Sequence, residues 1–305
     1  MSIDLVSEIL RLKEEKDYVI LCHNYSSPTL YPIADYFGDS LGLSKLAAKT
    51  SASRIMFIGV TFMAETALIL SPETMVQQAS SSPRCPMAAQ LKQEQIKEFI
   101  EKYPEAAVVT YVNTRAEAKA LSDVCVTSAN ADRIISQLDE QQILFGPDAN
   151  LAAYVQKRVP EKEIIPMPGP RGGCYVHRQF KLEHLEQVKA QHPDAISMMH
   201  PEASPELQNN SDYVLSTGGM ERLPTEIDSQ EFIIGTEIGM VDRLAHLFPD
   251  KNFYPLFTGG ICYQQKKNTL YSLYEAMAFD RNVVRLDPDI LLRATAPIER
   301  MLELS

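Results

Sequence analysis

The sequence predicts an α/β protein made of three homologous three-layer αβα units, each with a parallel sheet, in a pseudo-threefold arrangement around a central site. Three observations carry this expectation. Short, nearly continuous apolar runs alternate with amphipathic stretches such as KLEHLEQVKAQ, the pattern of parallel strands covered on both faces by helices. Four ordered landmarks recur at one period of about 88 residues. No low-complexity linker separates the copies, so they pack closely around a shared centre.

The first landmark is an apolar run with a polar end. YVILCHNY, VVTYVNT and ISMMHPE carry His23, Tyr111 and His200, spaced by 88 and 89 residues. ADYFGDS, SDVCVTS and SDYVLST follow, with Asp35, Asp123 and Asp212 again 88 and 89 apart. MFIGV, ILFGP and FIIGT place Gly59, Gly146 and Gly235 at intervals of 87 and 89. The last landmark is a cysteine: Cys85, Cys174 and Cys262 are 89 and 88 apart. Chance supplies one matching motif easily; four in constant order and register mark three copies of one supersecondary unit. The expected units are residues 1–84 with the C-terminal 288–305, residues 85–173, and residues 174–287. The chain opens with MSIDLVSEILRLKEEKD, which reads as an amphipathic helix, and closes with YSLYEAMAFD, NVVRLD and a final helix, elements expected to complete a neighbouring unit.

Composition excludes several classes. With 305 residues, 45% of them hydrophobic and 23% charged, the chain is large enough for two or three globular domains, and no disorder is implied. A formal charge of −11 argues against a nucleic-acid partner, whose binding draws on clustered Lys and Arg. No apolar run approaches a membrane span and the N-terminus lacks a basic-then-apolar pattern, so a cytoplasmic protein with no membrane partner is expected. Five scattered cysteines suit a reducing compartment better than a disulfide framework.

In parallel sheets, ligands sit beyond the carboxyl ends of the strands. The loops MVQQASSSPRC, EIIPMPGPRGGC and FYPLFTGGIC each follow a strand-like run, so a threefold arrangement brings Cys85, Cys174 and Cys262 together. Glycines beside two of them let the backbone turn sharply. A free cysteine is ordinarily a small buried apolar residue. The shared register argues otherwise for these three, while Cys22 and Cys125 have no counterparts and keep the ordinary reading. Three thiolates without a fourth protein ligand suggest a metal centre with an open position. Zinc closed by His177 as a fourth ligand fits, and so does an iron–sulfur cluster with one iron free to act as a Lewis acid. Spacing alone leaves both open.

The strand ends supply polar pairs. His23 and Tyr25, Tyr111 and Asn113, and His200 and Glu202 are each i, i+2, so both members project from one side if the strand persists. His, Tyr and Glu pass protons, while Asn and Tyr fix carbonyl or hydroxyl groups. GDSLGLSK, TSANADRI and STGGMERL each open a helical pattern; free N–H groups at helix starts bind anions, and Ser40, Ser128, Ser216 and Thr217 add hydroxyl donors. An N-cap role explains any one of them. Recurrence at one repeat position points instead to a polyanionic small molecule. Two rival functions are a non-catalytic iron or redox sensor and a zinc-dependent lyase or aldolase acting on phosphorylated ketoses. The sensor calls for a DNA- or protein-binding module, and the sequence shows no basic helix or spare domain for one.

The combination HNYxxPxxxxxADYxGDS, GVTFMAET, YVNTxAExKxxSDxCVTSANA, GGCYVH, HPE, STGG, GTEIGM and a late cysteine resembles the bacterial and archaeal quinolinate synthase family, from about residue 18 to 301. The resemblance implies three α/β domains in pseudo-threefold arrangement around one [4Fe-4S] cluster, with Cys85, Cys174 and Cys262 as ligands and one open iron. It implies condensation of iminoaspartate with dihydroxyacetone phosphate, then loss of phosphate, ring closure and dehydration to quinolinate in de novo NAD biosynthesis. A functional link to an iminoaspartate-producing enzyme follows. By matching motif positions, His23, Tyr25, Ser40, Tyr111, Asn113, Ser128, His177, His200, Glu202, Ser216 and Thr217 are the substrate-contacting set. Tyr25 and Glu202 are the expected proton-transfer residues, assisted by His23 and His177. The sequence departs from the family's pattern at Ala203, where many members carry another cysteine, and at Thr61, where histidine is common. Neither is a ligand position.

Overall fold

The computed structural model describes residues 4–305. The N-terminal amphipathic segment forms a helix over Leu5–Glu15, capped by Asp4; residues 1–3 of that reading lie outside the described residues. Among the described residues, twelve strands form three four-stranded parallel sheets, each flanked by helices. The first sheet contains β1 (Tyr18–His23), β2 (Tyr36–Gly38), β3 (Arg54–Ile58) and β4 (Met75–Gln78). β5 (Ala107–Tyr111), β6 (Val124–Val126), β7 (Gln142–Gly146) and β8 (Glu163–Pro166) make the second. β9 (Ile196–Met199), β10 (Tyr213–Val214), β11 (Glu231–Gly235) and β12 (Asn252–Pro255) make the third. Each unit orders its strands second, first, third, fourth, so the repeat seen in sequence is a repeat of topology.

The apolar runs are continuous because these strands are covered on both sides. In the first sheet Val19, Leu21, Ile55 and Phe57 enter one core. Tyr18, Ile20, Met56 and Ile58 enter another, with Leu273, Ala276 and Met277 of the helix Leu270–Ala278. Cys22 and Cys125 are fully buried on β1 and β6, where burial pushes the Cys22 thiol up to about 12 and also raises that of Cys125. These two thiols are core packing. The segment after the third sheet turns back to the first unit: Val284 donates its N–H to Val76 O on β4 at 2.8 Å, and Gln77 Nε2 donates to Ala276 O and Arg281 O. The closing helix Pro288–Glu303 packs across the helices Thr61–Leu70 and Ala116–Lys119 and against β6, joining the first two units. No helix among the described residues is long and apolar enough to cross a membrane.

The aspartate landmark has a structural cause. Asp35, Asp123 and Asp212 stand just before the short edge strands and accept the backbone N–H of Ile20, Val108 and Ser197 at 2.8, 2.7 and 2.8 Å. Each carboxylate pins its edge strand to the unit's first strand at the same register point. The glycine landmark marks a close approach: a Cβ on Gly146 would lie 2.8 Å from the Met167 carbonyl oxygen, where the chain leaves β8.

Hydrogen bonds to charged groups contribute about 1.5–3 kcal/mol. Asp123→Ala is therefore expected to lower the unfolding free energy by about 1–3 kcal/mol, read as a fall in the urea midpoint with an unchanged slope. An unchanged midpoint would show that water replaces the carboxylate at no cost.

Candidate active site

The carboxyl ends of all three sheets open onto one pocket. His23, Tyr25 and Ser40 enter it from the first unit, Tyr111, Asn113 and Ser128 from the second, and His177, His200, Glu202 and Thr217 from the third, together with Cys85, Cys174 and Cys262. Ser216 is the one nominated residue outside it. Its hydroxyl accepts the Gly219 N–H at 3.2 Å as the N-cap of the helix Thr217–Glu226, and the residue lines an adjoining cleft that Ser128 shares.

The three cysteine loops share one local geometry. Each cysteine precedes a single 3₁₀ turn, Met87–Ala89, His177–Gln179 or Gln265–Lys267. The N–H groups of the second and third residues after it face its sulfur: Met87 and Ala88 at Cys85, Val176 and His177 at Cys174, Gln264 and Gln265 at Cys262. Such N–H groups favour thiolates and tune a bound metal. Gly173, with φ +153°, supplies a conformation that a side chain rarely allows, and a Cβ on Gly172 would collide with Pro147 O.

Two buried carboxylates hold these loops. Asp148 accepts the Cys174 N–H at 3.2 Å while capping the helix Ala149–Arg158, and Glu237 accepts the Cys262 N–H at 3.0 Å. They stand two residues after the landmark glycines Gly146 and Gly235, and that register is the signal that finds them. The equivalent residue in the first unit is Thr61, whose buried hydroxyl has no hydrogen-bond partner and which lines a cleft beside Cys85.

Burial pushes all three thiols up: Cys85 to about 12, Cys174 well above its usual range with Glu202 and Cys85 adding to the effect, and Cys262 in the same direction. Three buried thiols lining one pocket ionise together only with a cation among them. The donor set therefore fits a metal group. Cys174, His177 and Glu202 also place one ligand atom each within 4.8 Å of the others.

A hydrogen-bonded chain crosses the pocket wall. The Tyr25 hydroxyl lies 2.6 Å from Thr236 Oγ1, which lies 2.9 Å from His177 Nε2. His177 Nδ1 is 3.0 Å from Glu202 Oε2, within ion-pair distance but without hydrogen-bond geometry, and Glu202 Oε1 accepts from the Tyr111 hydroxyl at 2.7 Å. Asn113 Nδ2 is 3.5 Å from the same oxygen, and Ser128 Oγ is 3.3 Å from His200 Nε2. Burial pushes Tyr25 and Tyr111 well above the usual tyrosine range, with Glu202 adding to it. It lowers His23 to about 4 and His200 to about 3. Burial would also raise Glu202, but His177, His200 and Tyr111 outweigh it and hold the carboxylate below its usual range.

The i, i+2 pairs converge by a different route from the expected one. β1 ends at His23, β5 at Tyr111 and β9 at Met199, so no strand persists through a pair. Turns carry the second members instead: Tyr25 N–H donates to His23 Nδ1 and Glu202 N–H to His200 Nδ1, both at 3.2 Å. These turns are held from behind by residues that sequence reading missed. Lys119 Nζ, fully buried, donates to Thr114 O at 2.6 Å, and Gln208 Nε2 donates to Pro201 O and Ala203 O at 2.8 Å. Lys119 and Gln208 are 89 residues apart, a register match.

Fold and pocket together define an enzyme of triplicated α/β architecture, with thiols and proton-carrying groups converging where its three units meet. The chain belongs to the quinolinate synthase family: the family model described as quinolinate synthetase A protein matches residues 7–303. A quinolinate synthase of Methanocaldococcus jannaschii is 48% identical over 309 residues, covering 100% of both chains. One of Thermococcus onnurineus is 48% identical over 302 residues, 99% of each chain, and one of Thermotoga maritima is 45% identical over 300 residues, covering 98% of this chain and 99% of its own.

Gln208→Leu leaves two loop carbonyls without their donor, at about 1–3 kcal/mol. The Glu202 and Ala203 amides are then expected to exchange with solvent deuterium faster than in the parent, while amides of β1 and β5 keep their protection. Unchanged exchange at 202–203 would show that the loop is held by other contacts.

Proposed function

We propose that this enzyme condenses iminoaspartate with dihydroxyacetone phosphate to form quinolinate, phosphate and water in de novo NAD biosynthesis, in the cytoplasm and in functional partnership with an enzyme that supplies iminoaspartate. The observation that carries the proposal is the convergence, in one pocket, of three equivalent cysteine loops and the chain Tyr25–Thr236–His177–Glu202–Tyr111. Family membership supports the same reading.

Cys85, Cys174 and Cys262 are the residues proposed to hold a [4Fe-4S] cluster. Two N–H groups at each sulfur support that assignment. His177 Nε2 already meets Thr236, which disfavours it as a fourth ligand and with it the closed zinc site and the zinc-dependent lyase built on that site. When bound, the cluster supplies a Lewis-acid iron without a protein ligand, suited to hydroxyl removal.

The chain's own residues do the rest. Ser40 and Thr217 begin the helices Ser40–Ala47 and Thr217–Glu226, whose free N–H groups suit the substrate's phosphate and carboxylates, and Ser128 adds a hydroxyl beside them. Tyr111, Asn113 and His200 orient carbonyl and hydroxyl groups, with His200 kept neutral by burial. Glu202 remains a carboxylate able to accept a proton. Tyr25 stays a neutral phenol able to donate one, and His23 stands beside it with ring centroids 4.6 Å apart. His177 supports Glu202 from 3.0 Å. Phe62 and Met63 in the pocket lining restrict water.

The test is an anaerobic assay for quinolinate from iminoaspartate and dihydroxyacetone phosphate. The parent protein is expected to form it, and Tyr25→Phe and Glu202→Gln to lose about 10²-fold or more in kcat while keeping their iron, the scale of losing a positioned proton carrier. A parent protein that binds iron yet forms no quinolinate contradicts the proposal, and near-parental turnover in either variant removes that residue from it.

A further inference from the structure

Carboxylates anchor two of the cysteine loops to their own units, and three other side chains join the loops to one another. Gln90, which ends the turn after Cys85, pairs its amide with the glycine before Cys174: Nε2 donates to Gly173 O at 3.0 Å and Oε1 accepts the Gly173 N–H at 2.8 Å. Tyr175, next to Cys174, reaches the residues on either side of Cys262. Its hydroxyl donates to Ile261 O at 3.2 Å and accepts the Tyr263 N–H at 2.9 Å. Asn268, which ends the turn after Cys262, returns to the first unit. Its Nδ2 donates to Gly59 O at 3.0 Å, and its Oδ1 accepts at 3.0 Å from Ser80 Oγ, on the segment that leads from β4 to Cys85.

The bridges therefore run from the Cys85 loop to the Cys174 loop, on to the Cys262 loop, and back. Each uses a donor and an acceptor of one side chain, which fixes orientation as well as distance. A glutamine at this point of the repeat does not make a bridge by itself: Gln179 stands five residues after Cys174 as Gln90 stands after Cys85, yet its Nε2 donates to Tyr175 O inside its own loop. Gln90, Tyr175 and Asn268 do not line the pocket, so their contacts serve the loops and not the substrate.

We propose that Gln90, Tyr175 and Asn268 are positioning residues for the metal group: they close the three cysteine loops into one ring, which holds the three sulfurs at a common spacing and slows the loss of a bound cluster. The consequence for the cluster rests on the proposed assignment of a [4Fe-4S] group to Cys85, Cys174 and Cys262, while the ring stands on the geometry of the loops. A thiolate leaves the metal only if its loop moves away from the other two, and each bridge opposes that movement from outside the pocket.

The experiment compares the iron-loaded parent with Gln90→Met, Tyr175→Phe, Ser80→Ala and, as a control, Gln179→Met. Release of iron to excess bathophenanthroline disulfonate is followed anaerobically by absorbance, beside deuterium exchange and the kinetics of quinolinate formation. Each bridge variant is expected to release iron about 3-fold or more faster than the parent, a moderate effect for partners that orient metal ligands. Exchange is expected to quicken across the unit boundary, at the Gly173 amide in Gln90→Met and at the Tyr263 amide in Tyr175→Phe. Gln179→Met is expected to match the parent in both. Because no bridge touches substrate, kcat per bound cluster and KM are expected to stay within about 2-fold of the parent.

Parental iron release in Gln90→Met and Tyr175→Phe, or a Gln179→Met that loses iron as fast as Gln90→Met, would overturn the inference. So would a fall in kcat per bound cluster with parental iron release, which would assign these side chains to substrate. A parent protein that takes up no iron would overturn the cluster assignment, and the exchange at Gly173 and Tyr263 would then decide the ring. Should Gln90→Met fail to fold, Tyr175→Phe and Ser80→Ala, which each remove a single hydroxyl, decide by the same iron release.

Discussion

Taking a carboxylate fully out of water costs several kcal/mol unless neighbours replace its hydration. Glu202 is such a carboxylate, 4% exposed at the meeting point of the three units. Tyr111 and Asn113 face one oxygen from the second unit, His177 the other, and Thr236 with Tyr25 extends that contact to the first. Even the Glu202 backbone is held, its N–H by His200 Nδ1 and its carbonyl by Asn150 Nδ2 at 2.9 Å. The polar layout of the pocket is thus the set of contacts that lets one negative charge persist there. Burial raises Tyr25, Tyr111 and the Cys174 thiol and the same charge adds to it, so one buried carboxylate biases the protonation of much of the site.

The three units share a topology but not a role. Each strand end supplies a turn, each turn a polar pair, and each fourth strand a cysteine loop. Carboxylates anchor the Cys174 and Cys262 loops, whereas Thr61 stands at the corresponding point near Cys85 and accepts nothing with its hydroxyl. The Cys85 loop therefore lacks one restraint that its counterparts have. Ala203 is fully buried in the core of the third unit, where a small apolar side chain packs without chemistry.

Legibility in the sequence followed the repeat. Strands, edge aspartates and cysteine loops recur every 88 or 89 residues, and each landed where the register put it. The residues that escaped are those joining non-equivalent positions: Thr236 reaches Tyr25 across 211 residues and Lys266 reaches it across 241, with no periodic signal at all. Asp148 and Glu237 did share a register, but Thr61 breaks it in the first copy and hides the pattern. Ser216 matched a motif, and its hydroxyl also caps the helix that follows. The strands end two or three residues before the pairs do, and a turn stabilised by a side-chain imidazole, as at His23 and His200, leaves no hydropathy signature.

The central claim is that three equivalent cysteine loops hold one shared cluster with an iron open to the pocket. Mössbauer spectra of anaerobically prepared protein, recorded with and without quinolinate, test it most directly. The account predicts four irons per chain, one of them distinct and shifted by quinolinate, and loss of the cluster in Cys85→Ser, Cys174→Ser and Cys262→Ser but not in Cys22→Ser or Cys125→Ser. A lone zinc ion, or a cluster in which no iron site responds to quinolinate and Cys125→Ser loses iron as fully as Cys174→Ser, would contradict it.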